Sequence, residues 1–240
     1  MDIQLDHVKK SFGTAPVIQD LSFTIAGGEI CCLLGPSGSG KTTLIRLMIG
    51  ALPADSGTIR FGDTEMPDMA ILKRLGFMPQ NDALYEDLSA YGNLKFFGGL
   101  YSLPKQALDA RITEVLAMVD LTNHSKKLVK NFSGGMKKRL SLAIAILHKP
   151  DILFLDEPTA GIDPVLRRKI WEQFQSFKAQ GTTIIVSTHV MDEVIECDKG
   201  ALLYNGQLIE YDTVPRLLDK TGSGRIEDLF FAASESEARP

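Results

Sequence analysis

Residues 29–48 read EICCLLGPSGSGKTTLIRLM, and this stretch decides the fold. Ile30 to Leu34 is wholly apolar, as a strand covered on both faces of a parallel sheet must be. It runs directly into GPSGSGKT (35–42), and the residues from Lys41 to Met48 continue with the apolar spacing of a helix. Gly35, Gly40, Lys41 and Thr42, with Gly38 inside the loop, fit the spacing G-x-x-x-x-G-K-[ST] of a phosphate-binding loop. Each residue type has a reason. Glycines let backbone N–H groups close around a phosphate, a lysine neutralises phosphate charge, and a threonine hydroxyl offers an oxygen to Mg2+. The buried strand before the loop and the helix after it separate this motif from a chance glycine turn carrying an exposed lysine.

Composition narrows the partners. The 240 residues carry 26 Lys and Arg against 30 Asp and Glu, a net charge of −4, with a pI near 5.6. A nucleic-acid binder normally shows a basic footprint, so no nucleic-acid partner is expected. No apolar run approaches the ~20 residues that cross a bilayer. The start, MDIQLDHVKK, has neither the basic nor the apolar region of a secretory leader, which predicts a cytosolic chain. The 3 cysteines have no disulfide or zinc spacing. Cys31 and Cys32 are neighbours on one strand and Cys197 has no ligand-like neighbours, so all read as small buried hydrophobes.

Outward from the loop, IQLDHVKKSF (3–12), LSFTI (21–25), SGTIRFGD (56–63) and LGFMPQ (75–80) read as strands. From 89 to about 147 the spacing turns helical. Leu94, Phe97 and Tyr101 fall at i, i+3, i+7, and Leu108, Ile112, Val115 and Val119 at i, i+4, i+7, i+11, with Pro104 between the two runs. Alternation then returns: DILFLDEP (151–158) as a buried strand, PVLRRKIWEQFQSFKA (164–179) as a helix, TTIIVSTH (182–189) as a strand and MDEVIEC (191–197) as a helix. ALLYNGQLIEYD (201–212) is a hairpin turning at Asn205-Gly206. The prediction is an α/β nucleotide-binding fold with antiparallel strands added early and a helical insertion over 89–147. It forms one domain over 1–230, followed by a polar, frayed tail over 231–240.

A phosphate loop needs a carboxylate for Mg2+ at the end of another buried strand, and Asp156 stands there. Glu157 follows and can orient and polarise an attacking water. Without the loop, the same pair would read as caps of the next turn. Gln80 and His189 end two further strands, where side chains face the ligand crevice of an open α/β sheet. Taken alone, each reads as a structural or surface residue. His7, His124 and His148 have no such placement.

A second helix start of phosphate-binding type lies at NFSGGMKKR (131–139), just before LSLAIAIL (140–147). Lys137, Lys138 and Arg139 sit where the helix dipole disfavours cations. An arriving phosphate would offset that repulsion; a solvated basic face is the plainer reading.

Together these motifs resemble the ATP-binding subunit of an ABC transporter over nearly the whole chain. GPSGSGKT is similar to the Walker A loop, ILFLDE to the Walker B strand and FSGGM to the family signature. TAGID (159–163) is similar to the D-loop, PQND holds the Q-loop glutamine Gln80, and STH holds the switch histidine His189. The resemblance implies a P-loop NTPase (RecA-like) core with an antiparallel β subdomain and an inserted α-helical subdomain. It implies that Gly35, Pro36, Ser37, Gly38, Ser39, Gly40, Lys41, Thr42 and Thr43 hold ATP, and that Thr42, Gln80 and Asp156 hold Mg2+. Glu157, His189, Lys41 and Gln80 make up the implied catalytic set. Two such subunits would pack head to tail, a homodimer in the simplest case, so that Ser133, Gly134 and Gly135 meet the γ-phosphate bound by the partner.

Phe12 stands where the family stacks adenine, usually on tyrosine; the alternative is a strand-end core residue. The signature departs from the common form, with Phe132 for Leu and Met136 for Gln. Met136 and the stretch AYGNLKFFGGLYSLP (90–104) resemble the exporter branch whose permease is encoded separately. The implied partner is then an integral membrane permease, reached through Gln80 and Asn81 to Tyr85, with this chain peripheral on the cytoplasmic side. An importer ATPase shares the same motor. A soluble ATPase of DNA or the ribosome is disfavoured by the lack of heptads between loop and signature and by the single such domain. A binder that does not turn over is disfavoured because Lys41, Asp156, Glu157 and His189 are all present.

Overall fold

The computed structural model describes residues 1–101 and 104–237. It holds two compact units, one built from Met1–Leu72 with the chain from Thr183 onward, the other from Lys73–Thr182.

In the first unit an antiparallel sheet runs in the order β2-β1-β4-β5, with β1 Ile3–Phe12, β2 Ala15–Ile25, β4 Ser56–Phe61 and β5 Thr64–Glu65. Strict alternation from buried Ile3 and Leu5 would bury His7 and expose Val8. A register shift between Leu5 and Val8, with His7 at φ 49, returns Val8 to the core instead. His7 is turned out, its N–H donating to Ser22 Oγ (2.8 Å) and its ring meeting Asp20 (2.9 Å).

Also in this unit, β3 (Ile30–Leu34) lies between β8 (Thr183–Thr188) and β9 (Lys199–Tyr204), parallel to both. Every β3 side chain is buried, so both faces of the strand are covered, as its unbroken apolar run requires. Burial of an aliphatic side chain of this size is worth about 1.5–3 kcal/mol. Burial pushes the Cys31 thiol well up, and a neighbouring Cys32 together with burial does the same at Cys197. These are inert core residues, as expected. The antiparallel strand β10 (Gln207–Thr213) closes a hairpin with β9. Asn205 (φ 47) and Gly206 (φ 75) take the left-handed pair that a two-residue turn needs. Gly206 is also sterically required, since a Cβ there would lie 2.4 Å from Val17 O.

Four helices complete this unit: α1 Lys41–Met48, α2 Met69–Leu72, α7 Val214–Asp219 and α8 Glu227–Glu237. The expected helix over 191–197 is a 3-10 helix, Met191–Glu196, in which Glu193 folds back to accept from the Thr188 hydroxyl (2.7 Å). Residues 231–237, expected as a frayed tail, continue α8 behind the buried anchors Ile226 and Phe230. Residues 238–240 lie outside the described residues.

In the second unit β6 (Leu75–Met78) and β7 (Ile152–Asp156) pair in parallel, Leu75 against Ile152 through Met78 against Leu155. The helices are α3 Ala90–Leu100, α4 Lys105–Met118, α5 Gly134–Ala145 and α6 Pro164–Ala179. Caps set three of their starts: Ser89 accepts from Gly92 N–H, Ser133 from Met136 N–H, and Asp163 from Leu166 N–H ahead of Pro164. Leu94, Leu108, Ile112, Val115 and Val119 are all buried, so the apolar spacing that predicts α3 and α4 is their core face. Residues 102 and 103 of the stretch 90–104 lie outside the described residues. Among the described residues, no helix is long and apolar enough to cross a membrane.

Candidate nucleotide site

In the first unit the pairing of Leu34 with Thr188 brings two strand ends together. The loop 35–42 leaves β3 at the end where His189, exposed, leaves β8. Gly38 (φ 83) and Gly40 (φ 102) hold conformations that side chains resist, and they curl the loop onto α1. Gly40 is the N-cap of α1 and provides no side-chain cap, so the positive end of the helix is left for a ligand. Lys41 is buried at 6% exposure, its Nζ donating to Gly35 O (2.6 Å) and Pro36 O (2.9 Å). The loop thus wraps its own lysine, with Thr42 and Thr43 half-buried beside it. Pro36, Ser37 and Gly38 form the exposed rim.

Ser39 tests whether a phosphate fits. Its hydroxyl is buried, with the residue 2% exposed, and has no hydrogen-bond partner among the described residues. An orphan of this kind costs about 1–3 kcal/mol, and a phosphate oxygen is the acceptor that would relieve it. Phe12 is 52% exposed and so is no core residue; Lys10 Nζ stands 5.9 Å from its ring centroid. An exposed aromatic face of this kind is available for stacking.

In the second unit the pairing of Met78 with Leu155 sets Gln80 and Asp156-Glu157 at one end of β6 and β7. Asp156 is 1% exposed. Glu157 adopts φ 52, a left-handed conformation uncommon outside glycine and concentrated at functional sites. Gln80 Nε2 donates to Glu157 Oε2 at 3.1 Å. Among the described residues no cluster of three His, Cys, Asp or Glu could hold a metal ion. Mg2+ asks for less, one or two protein oxygens beside phosphate and water, and a carboxylate such as that of Asp156 is an oxygen of the right kind.

Ser133, Gly134 and Gly135 open α5 on the surface, with Ser133 and Gly134 exposed. The Ser133 hydroxyl caps its own helix, accepting from Met136 N–H at 3.3 Å. A Cβ at Gly134 would meet nothing within 4 Å. The three cations that follow find partners within this chain rather than forming a solvated face. Lys137 pairs with Glu86 (2.5 Å), Lys138 donates to Glu157 O (2.8 Å), and Arg139 donates to Asp120 O (2.9 Å) and Val119 O (3.2 Å). The contact between Lys138 and Glu157 was missed in the sequence. Its only trace there was a cation placed against the helix dipole.

The profile of the ABC transporter family matches residues 18–160, and that of an AAA domain matches residues 128–195. The chain is 38% identical over 230 residues to the linearmycin resistance ATP-binding protein LnrL of Bacillus subtilis, covering 95% of this chain and 74% of that one. It is 40% identical over 221 residues to the Nod factor export ATP-binding protein I of Sinorhizobium fredii, covering 91% and 64%. It is 37% identical to ABC transporter G family member 20 of Dictyostelium discoideum, covering 95% of this chain and about a third of that protein, 32%. A solved structure of an ATP binding subunit of an ABC transporter superposes with a TM-score of 0.87 over 98% of this chain and 100% of that one, at 24% identity. That likeness settles the fold: a RecA-like P-loop core with antiparallel β-sheet and an inserted α-helical subdomain. The chain belongs to the ABC transporter family, as an ATP-binding subunit that hydrolyses ATP with Mg2+.

Proposed function

We propose that two copies of this chain pack head to tail around two ATP molecules, and that closing and reopening this dimer drives export through a membrane permease. The chain would sit peripherally on the cytoplasmic side. The observation that carries the reading is the open start of α5. Ser133 and Gly134 are exposed, nothing crowds Gly134, and a helix start of this kind attracts phosphate. Loop 35–43 already has the chemistry for one triphosphate, so the second helix start suits the ATP of another copy.

Within each site, loop 35–43 would hold the phosphates through backbone N–H groups, with Lys41 neutralising charge and Phe12 offering its ring to adenine. Thr42, Gln80 and Asp156 are the residues that would hold Mg2+. When bound, the ion screens the phosphate oxygens and lowers the cost of charge developing on them. Glu157 polarises the attacking water, Gln80 fixes its carboxylate, and His189 stabilises charge on the departing γ-phosphate.

The route to a permease starts at the same glutamine. Asn93, fully buried on α3, clamps the segment that follows Gln80: Tyr85 N–H donates to its Oδ1 (2.9 Å), and its Nδ2 donates to Tyr85 O (3.0 Å). Tyr85, Phe96 and Leu100 are exposed, with the Tyr85 and Phe96 rings 4.7 Å apart. A permease segment covering this apolar patch would be linked to Gln80 through the short segment that Asn93 anchors at Tyr85. Export is favoured over import by the relatives named for linearmycin resistance and Nod factor export.

Light scattering on the Glu157→Gln chain tests the dimer. A dimer with Mg-ATP and a monomer without it is expected; a monomer in both overturns the trans site. Tagging the chain in its own host and identifying what co-purifies from detergent-solubilised membranes tests the partner. A polytopic protein in fixed ratio is expected, and its sequence separates exporter from importer. Soluble proteins alone, crosslinked or not, would remove the transport reading and leave a soluble ATPase.

A further inference from the structure

Glu157 is held at both ends by different parts of the second unit. Its carboxylate accepts from Gln80 Nε2 (3.1 Å), and its carbonyl accepts from Lys138 Nζ (2.8 Å) and more weakly from Ala160 N–H (3.4 Å). Its backbone at φ 52 is costly for a non-glycine residue, by about 1–2 kcal/mol, so it persists only where its surroundings impose it. Lys138 supplies one such constraint. It lies on α5, five residues beyond Ser133, and is half-buried. Among the described residues it makes no ion pair, whereas Lys137 and Arg139 on either side both meet carboxylates. The Asp82 carboxylate also feels this charge, which opposes the effect of burial on that acid, yet the hydrogen bond of the half-buried ammonium goes to the Glu157 main-chain oxygen. The start of α5 also abuts the turn that follows Glu157, since a Cβ on Gly135 would lie 4.0 Å from Gly161 O.

We infer that Lys138 is a positioning residue for hydrolysis: by anchoring the Glu157 carbonyl to the signature helix, it makes the aim of the Glu157 carboxylate depend on how that helix is seated. The inference rests on the dimer reading for its wider consequence. In that dimer the start of α5 meets the ATP of the other copy, while Glu157 acts on the ATP of its own. Lys138 would then let each hydrolytic residue sense whether the opposite site is occupied, a coupling between sites through one two-state contact.

The test is steady-state ATPase of the full chain carrying Lys138→Met or Lys138→Arg, with nucleotide affinity and thermal unfolding measured alongside. Lys138→Met should lower kcat about tenfold or more, because small misplacements of a reacting group are costly. It should leave KM for ATP, nucleotide affinity and the unfolding midpoint where they were. Lys138→Arg, which keeps a cationic donor, should recover most of kcat. A kcat for Lys138→Met within about twofold of the parent, or a loss that appears equally as weaker binding or lower stability, overturns the assignment. Light scattering on Glu157→Gln with and without Lys138→Met separates the two readings. ATP-driven dimers in both are expected; a dimer lost only in the double variant would make Lys138 a dimerisation residue instead. If Glu157→Gln alone stays monomeric, the dimer reading fails, and the kcat comparison still decides the role of Lys138 within one chain.

Discussion

Gln80 and Glu157, far apart in the chain, meet through one hydrogen bond of 3.1 Å, because β6 and β7 run parallel and end together. Gln80 is exposed and Glu157 half-buried, so the amide reaches inward to the acid. Removing it with Gln80→Ala should let the carboxylate rotate away from the line of water attack. The expected result is a kcat about tenfold lower, with the affinity for ATP measured without Mg2+ unchanged. Single-turnover hydrolysis beside equilibrium titration checks it, and an unchanged chemical step would detach Gln80 from catalysis.

Lys41 is buried among loop carbonyls, with Nζ bonded to Gly35 O and Pro36 O. Lys41→Met keeps most of the stem and removes the charge. Nucleotide affinity should fall at least about tenfold, since hydrogen bonds to charged groups are worth about 1.5–3 kcal/mol. Calorimetric titration with ATP reads this directly. Full affinity together with full turnover would refute the placement of the phosphates on this loop.

His148 links stability to pH. Burial holds its imidazole below the ordinary value, and the Arg111 cation acts the same way. The hydrogen bond to Leu75 O (3.0 Å) and the Asp151 carboxylate oppose them. The ring stacks on Tyr101 with centroids 3.7 Å apart, and among the described residues its Nδ1 has no hydrogen-bond partner. With the folded pKa lowered, the unfolded chain binds the proton more readily. The contribution to stability is therefore complete above the unfolded pKa of about 6.5 and is lost as pH falls below it. His148→Gln keeps a donor and cannot titrate. Its urea midpoint should fall less than that of the parent between roughly pH 7.5 and 5.5. Parallel losses in both chains would show that other groups carry the acid limb.

What could be read from the sequence was chemistry written in local order. GPSGSGKT announces its loop because strand, turn and helix are consecutive, and the apolar runs of β3 and β7 state that both faces are covered. The strand-end positions of Gln80 and His189 followed from the same logic. What could not be read depended on distant partners or on one-residue adjustments. No period in β1 signals that the chain slips at His7 to keep Val8 inside. Phe12 had two readings until its exposure excluded the core. Lys137, Lys138 and Arg139 stood out as misplaced cations, yet which oxygens they find is decided by loops far away in the chain. The helix α8 outruns the expected tail because Ile226 and Phe230 are buried, a tertiary effect that polar composition hides.

Gly134 offers the cleanest separation of fold from function. It opens α5 without a positive φ, and a Cβ there would touch nothing within 4 Å. Gly134→Ala should therefore leave the isolated chain as stable as before, or more stable by up to about 1 kcal/mol, since alanine suits a helix better than glycine. Any deficit must come from something that approaches this helix start from outside. If a partner's γ-phosphate packs against the Gly134 backbone, the added methyl crowds it. Turnover should then fall about tenfold or more, while ATP binding to the monomer stays intact. Ser133→Arg should act the same way more strongly, but it also deletes the cap to Met136 N–H, so its losses mix stability with function. Thermal unfolding, nucleotide titration and steady-state ATPase on Gly134→Ala decide the matter together. Full turnover in a stable Gly134→Ala chain would mean that no phosphate comes this close, and the head-to-tail dimer would lose its main support.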